Sequence, residues 1–239
     1  MPPSPASPSI LAGLVAAGVL DAPTAALAWV LLERGVPALV AGREPAVVDA
    51  LLDGLVAALP PDRRPDPAGG AGADRLVRVA GRLETTTPPG ILRAALAATS
   101  GRSGLAVAVA ADDLAGVLAV LRRQGLTDDE ISFMGVVLVV GEPDGGGTPD
   151  GGEQGGAPVR LVAAHYLRPV VRDAGGHTRR LGPAVLAAWN TAVAGWEDFA
   201  WGIVPDLAER IRMRAGDLEA ERERRAAVLA GAVRGRPVG

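Results

Sequence analysis

Gly42 closes a short apolar run, Val36 to Val40 followed by Ala41, and an amphipathic stretch, Pro45 to Leu59, begins three residues later. A strand that turns through glycine into a helix aims backbone amides and the positive helix end at one spot, the geometry that cradles phosphates. The sequence pattern for that chemistry is G-x-x-x-x-G-K-[ST]. Counted from Gly42, the second glycine falls on Val47, the lysine on Val48 and the magnesium-binding hydroxyl on Asp49. Glu44 and Asp49 bring negative charge to the place of a triphosphate. Like charges ~4–6 Å apart in a partly desolvated site cost on the order of a few kcal/mol. Arg43 offsets one of them, and Pro45 removes a backbone donor. Residues 42–49 therefore read as a degenerate nucleotide loop.

Other residues that carry chemistry are few. Glu84 is the only acid between Ala80 and Gly90. Ser100 and Ser103 lie in a glycine-containing turn, but Gly101-Arg102-Ser103-Gly104-Leu105 departs from the nucleophile-elbow pattern G-x-S-x-G at Leu105. His165 falls on an expected strand and His177 in an expected turn. Without a nearby carboxylate pattern the two do not make a metal site. Arg168, Arg172, Arg179 and Arg180 gather around one hairpin, either as a patch for phosphates or acids or as a charge-protected sheet edge. Four of the seven aromatic residues, Trp189, Trp196, Phe199 and Trp201, fall close together. Trp196 and Phe199 are three apart, which predicts a shared helix face. The group is a packing anchor or a partner-binding surface, since tryptophan is enriched at interface hot spots.

Composition removes whole classes of mechanism. Among 239 residues there is no cysteine and no lysine: all 24 basic residues are arginines. Zinc ribbons, thiol nucleophiles, Schiff bases and a lysine-bearing phosphate loop are excluded. What lysine does in a site, arginine must do here. A formal charge of −3 gives no reason to expect a nucleic-acid footprint. The opening MPPSPASPS carries no positive segment, and the apolar run Ile10 to Leu20 is too short to span a bilayer. The expectation is a cytoplasmic protein without membrane insertion.

The elements that must position these residues alternate. Residues 1–9 read as a disordered tail. Residues 9–19 predict a short helix, and Asp21 caps the next, Thr24 to Arg34. Val36 to Val40 is a buried strand and Pro45 to Leu59 a helix ended by Pro60-Pro61. Strands come next at Leu76 to Ala80, Leu105 to Ala110 and Ile131 to Val140. Helices lie between them at Gly90 to Thr99 and from the cap Asp112 to Gln124. Residues 141–157 are a flexible Gly-rich loop, and Pro158 to Val171 returns as the second arm of a hairpin. From Gly182 onward the chain reads as helical, ending in a charged, solvated arm, Asp217 to Val233. The expected organisation is an α/β core over 10–180 with a mostly parallel sheet, and a helical region with a polar tail over 181–239.

Leu27 to Arg34, Pro37 to Gly42, Ala50-Leu51-Leu52 and Pro60-Pro61 together resemble the ATPases of type II and type IV secretion and type IV pilus assembly, in which an apolar helix, a strand and a phosphate loop occur in this order. A second patch, Leu96 to Asp112 (LAATSGRSGLAVAVAAD), is similar to that family's S-G-x-x-T-x-H segment through Ser100 to Gly104, with alanine near Ala110 in place of its histidine. Leu114 to Leu121 resembles the family's next helix, and Arg160 to Val162 the hairpin that ends its core. The resemblance implies a RecA-like P-loop NTPase core, ATP hydrolysis and a ring-shaped oligomer. The lysine, the magnesium ligand and the histidine of that family are absent. The expectation is thus a pseudo-ATPase with no cofactor, acting in assembly or regulation through protein partners, either itself or an active ATPase of such an apparatus. The alternative is a noncanonical ATP- and magnesium-dependent enzyme in which Arg43 or Arg102 replaces the lysine and Glu84 orders the metal or water.

Overall fold

The computed structural model describes residues 8–66, 74–99, 103–143, 158–172, 175 and 178–234. Two helices open the chain, α1 (Ser9–Ala16) and α2 (Ala22–Glu33), and Asp21 caps the second through the Thr24 amide at 3.3 Å. Next come β1 (Ala38–Ala41), α3 (Pro45–Ala58), β2 (Val77–Leu83), α4 (Ile91–Ala98) and β3 (Leu105–Val109). The alternation continues with α5 (Leu114–Arg123), α6 (Asp128–Ser132) and β4 (Val136–Gly141). The second half holds β5 (Arg160–Tyr166), β6 (Val171–Arg172), β7 (Thr178–Arg179), β8 (Ala184–Asn190) and β9 (Gly195–Asp198). A 3₁₀ turn (Ala200–Ile203), α7 (Val204–Arg210) and α8 (Ala215–Arg234) complete it.

Seven strands form one mixed sheet in the order β2-β3-β1-β4-β5-β8-β9. The first four pair in parallel; β5, β8 and β9 add on antiparallel. Strands β1 and β3 are buried along their whole length, as parallel strands covered on both faces must be. Their side chains alternate between two cores. Ala38, Val40, Ala106 and Ala108 face a layer built from α1, α2, α3, α7 and α8. Leu39, Ala41, Val107 and Val109 face the layer of α4, α5 and α6. Strands β6 and β7 form a separate two-stranded ribbon. Among the described residues no helix is long and apolar enough to cross a membrane.

The sequence reading of the first half holds within a few residues, and three later expectations are corrected. Residues 184–198 are not helical: β8 and β9 form a hairpin that extends the main sheet. The stretch Ile131 to Val140 is not one strand. Its first residues end α6, which a capping box starts: Thr127 Oγ1 accepts from the Glu130 amide, and Glu130 accepts from the Thr127 amide at 2.7 Å. Nor is the C-terminal helix a solvated arm. It packs along α1 and α2 and buries Leu218 and Leu229.

Two arginines fasten α8. Arg225 stacks its guanidinium 4.3 Å from the centre of the buried Trp29 ring. It also lies 2.7 Å from Glu33 and 2.6 Å from Glu221. Burial alone would raise the Glu221 carboxyl, yet the Arg225 hydrogen bond and the Arg225 and Arg224 charges hold it below the usual carboxylate range. Arg222 donates to Asp198 at 2.6 Å and to the Pro23 carbonyl at 3.2 Å, which ties α8 to β9 and to the start of α2. Replacing Arg225 with alanine leaves the partly buried Glu33 carboxylate without its cation, Glu221 with Arg224 alone, and the indole uncovered. The expected loss is about 2 kcal/mol, read as a lower urea midpoint with an unchanged slope. A midpoint equal to wild type would show that the clamp contributes nothing.

Candidate functional site

The carboxyl ends of β1, β3 and β4 open onto a cleft of about 850 Å³. The chain leaves β1 for α3 on one face of the sheet and β3 for α5 on the other. Such a divergence leaves a crevice outside the strand ends, the usual ligand position in open α/β sheets. Arg43, Glu44, Asp112, Asp113, Glu142 and Trp189 supply its chemistry. The structure thus brings the sequence-predicted loop and one predicted tryptophan to the same place.

Gly42 is glycine for a packing reason. A Cβ there would stand 2.7 Å from both the Val140 carbonyl oxygen and Val140 Cγ2. Its amide donates to the Val109 carbonyl at 3.2 Å. The residue is wedged between the ends of β3 and β4, and only a bare backbone fits. From there the connection to α3 is Gly42, Arg43 and Glu44 alone, because the helix begins at Pro45. Val48, at the lysine position, is fully buried in the core, and its amide donates to the Glu44 carbonyl at 3.1 Å. Val47 is half-buried and Asp49 is exposed on the helix. A phosphate loop needs non-helical backbone through the four residues before its second glycine, positions 43–46 here. Pro45 and Ala46 already belong to α3.

The one arginine of the cleft lining is taken by one of its carboxylates. Arg43 makes a two-pronged contact with Asp112, Nε to Oδ1 at 2.5 Å and Nη2 to Oδ2. That hydrogen bond and the Asp112 charge raise the Arg43 guanidinium above its ordinary value. Asp112 is therefore not the cap of the next helix, as its position in the sequence suggests. Asp113 caps α5, accepting from the Gly116 amide at 2.7 Å. Arg82, which the sequence reading missed, reaches across from β2. Its Nη1 donates to the carbonyls of Gly42 at 3.3 Å and Arg43 at 3.2 Å. Its Nη2 lies 3.8 Å from Glu84. The available signal was Gly81, a glycine inside a strand pattern; with φ +71 it sits where the β2–β3 register shifts. Glu84 lies just past β2. Its amide donates to Thr87 Oγ1 at 2.8 Å and its carboxylate accepts from Thr86. Its carboxylate is held in that turn, outside the cleft lining. Arg102, Ser100 and His177 lie outside the described residues, as does 144–157 of the expected Gly-rich loop.

The four aromatic residues divide. Trp189 and Trp196 face each other across β8 and β9, edge to face, with centroids 4.7 Å apart. Arg160 covers Trp189 at 4.1 Å, and Trp196 Nε1 donates to the Leu161 carbonyl at 3.0 Å. This pair is a packed anchor with one flank on the cleft. Phe199 lies beyond β9, so it shares no helix face with Trp196, and it is 41% exposed; Trp201 is 74% exposed. Of the arginines near the hairpin, Arg168 lies 3.6 Å from Asp206, and Arg180 lies 2.9 Å from Asp129. Arg172 and Arg179 belong to β6 and β7. Among the described residues no group of three or more histidine, aspartate or glutamate side chains could hold a metal ion.

Comparison of the chain with protein-family models gives no match, and comparison with curated proteins gives none either.

His165 lies on β5, and burial pushes its imidazole below the usual range. The native state keeps this ring neutral at pH values where the unfolded chain protonates it. Stability is therefore complete above the unfolded value of about 6.5 and falls as pH drops below it. Urea midpoints at pH 7.5 and 5.5 for wild type and His165→Asn test this. The wild type is expected to lose more stability than the variant on acidification. Equal losses would show that burial of His165 does not couple to pH.

Proposed function

We propose that this chain is a catalytically inactive relative of the secretion and pilus-assembly ATPases, a RecA-like P-loop core that serves as an assembly or regulatory scaffold in the cytoplasm. The observation that carries the inactivity is the connection from β1 to α3. It has three residues, and the lysine position, Val48, is in the core. Substituting lysine there would bury a charge in the core without supplying a phosphate ligand. The mixed α/β sheet and the residue resemblance over 27–61 and 96–112 support the relationship.

In the alternative, Arg43 or Arg102 replaces the lysine and Glu84 orders magnesium or water. Against it, Arg43 is committed to Asp112, and the Glu84 carboxylate lies beside Thr86 and Arg82, outside the cleft lining. Glu44, Asp112, Asp113 and Glu142 also set four carboxylates against one arginine in the cleft lining, a charge balance that opposes a triphosphate. A scaffold acts through contacts, and the exposed Phe199 and Trp201 offer an aromatic surface to a second copy or an active ATPase.

Phosphate release and tryptophan fluorescence test this reading together. The expected result is no Mg-ATP hydrolysis above buffer and no saturable quench of Trp189, which flanks the cleft. Magnesium-dependent turnover, or a quench that Arg43→Ala abolishes, would overturn it.

A further inference from the structure

At the opposite ends of the parallel strands, where α2 leads into β1, lies a second cleft of about 840 Å³. Its charged lining is Glu33, Arg34, Asp62, Arg63, Arg210 and Arg212. Two of the arginines are structural. Arg63 donates to the Glu33 carbonyl at 2.7 Å. Arg210 donates to the carbonyls of Phe133 at 2.5 Å and Leu167 at 3.3 Å. The carbonyls that hold Arg210 are neutral, so its positive charge persists. The Glu33 carboxylate is neutralised by Arg225, which leaves Asp62 as the opposing charge. Arg34 and Arg212 are exposed, and neither guanidinium has a hydrogen bond or ion pair among the described residues.

Arg212 sits where its side chain is unwelcome on local grounds. The α7 helix ends in a full Schellman turn: the Met213 amide donates to the Ala208 carbonyl at 2.8 Å, and the Arg212 amide to Glu209 at 3.1 Å. The left-handed position of that turn belongs to glycine. Here arginine holds it with φ +55. A strained backbone that presents an uncommitted guanidinium to a cleft points to use of that guanidinium.

We propose that this cleft binds a multiply charged phosphate group of a soluble small molecule. Arg34 and Arg212 supply two-pronged contacts, and Arg210 supplies a fixed positive background. Guanidinium forks match phosphate oxygens in pairs. None of the lining residues is an exposed large apolar side chain, so the surface has no wedge for a bilayer, although a lipid headgroup carries the same chemistry. The site is independent of the cleft at Gly42.

Calorimetric titration of the full chain with sodium pyrophosphate at low salt tests the proposal. The expected result is saturable binding that Arg34→Ala and Arg212→Gly each weaken at least about tenfold, and that Asp62→Asn strengthens. Arg212→Gly removes the strain, so its thermal midpoint is expected to rise while binding falls. That combination separates a lost ligand contact from a damaged fold. Absence of saturable heat with wild type would overturn the proposal. So would a more stable Arg212→Gly with unchanged affinity, or weakening by Arg43→Ala, which would place the anion at β1. Retention on phosphatidylglycerol vesicles without pyrophosphate binding would overturn it in favour of a headgroup.

Discussion

Strand β1 has no face that water reaches. It is flanked by β3 and β4 in the sheet plane and covered by helices above and below. That enclosure dictates much of what surrounds it. Every side chain on β1 must be apolar and sized to its core, so no polar group inside the sheet can reach a ligand. Chemistry is displaced to the two strand ends. At the carboxyl end the neighbours close in so tightly that Gly42 has no room for a Cβ beside Val140. The chain then has three residues in which to turn into α3, and Val48 must enter the same core that β1 faces. The shape of the turn comes from packing and needs no ligand to account for it.

The second organising fact is that every cation is a guanidinium. Much of the work that backbone groups or water would do at helix and loop ends is done by arginine forks. Arg64 closes α3 through the carbonyls of Leu59 at 2.9 Å and Ala57 at 2.7 Å. Arg123 takes the Thr85 carbonyl at 3.0 Å, and Arg82 holds the Gly42 turn. A lysine offers a point charge on a flexible stem and cannot bridge two carbonyls with fixed geometry. A compositional bias has therefore become structural, since the Arg123 and Arg82 contacts join segments 38 and 40 residues apart.

The core strands were legible because a strand buried on both faces reads as an unbroken apolar run bounded by turn residues. The hairpin β8–β9 was not. Ala184, Ala187 and Ala188 favour a helix on propensity, and the strand is imposed by pairing with β5 and by the Trp189–Trp196 contact, which no local window contains. The α6 helix was recoverable, since Thr127 and Glu130 spell a capping box; the apolar run behind them drew the strand too far forward. At the candidate site, Gly42 was legible as unusual, but its cause is Val140, distant in sequence. Arg82 falls beyond the expected strand, Leu76 to Ala80, and the irregularity at Gly81 carries the strand on and places Arg82 under the turn.

The two ends of the sheet have charges opposite to those a phosphate-binding α/β protein would show. Helix N-termini point at the carboxyl edge and favour anions there. In this chain the anions are supplied from within: Asp113 caps α5, Glu44 occupies the cap position of α3, and Asp112 grips Arg43. The favourable field is taken up by the protein's own carboxylates, and an incoming phosphate would meet their repulsion. At the amino edge, helix C-termini point outward and favour cations. Arginines gather there for that reason, and they exceed the nearby carboxylates. An anion that needs guanidinium forks therefore finds them at the end of the sheet where the helix termini alone would repel it. Any binding there must rest on side-chain charge, and so must be sensitive to salt in a way that a backbone cradle is not.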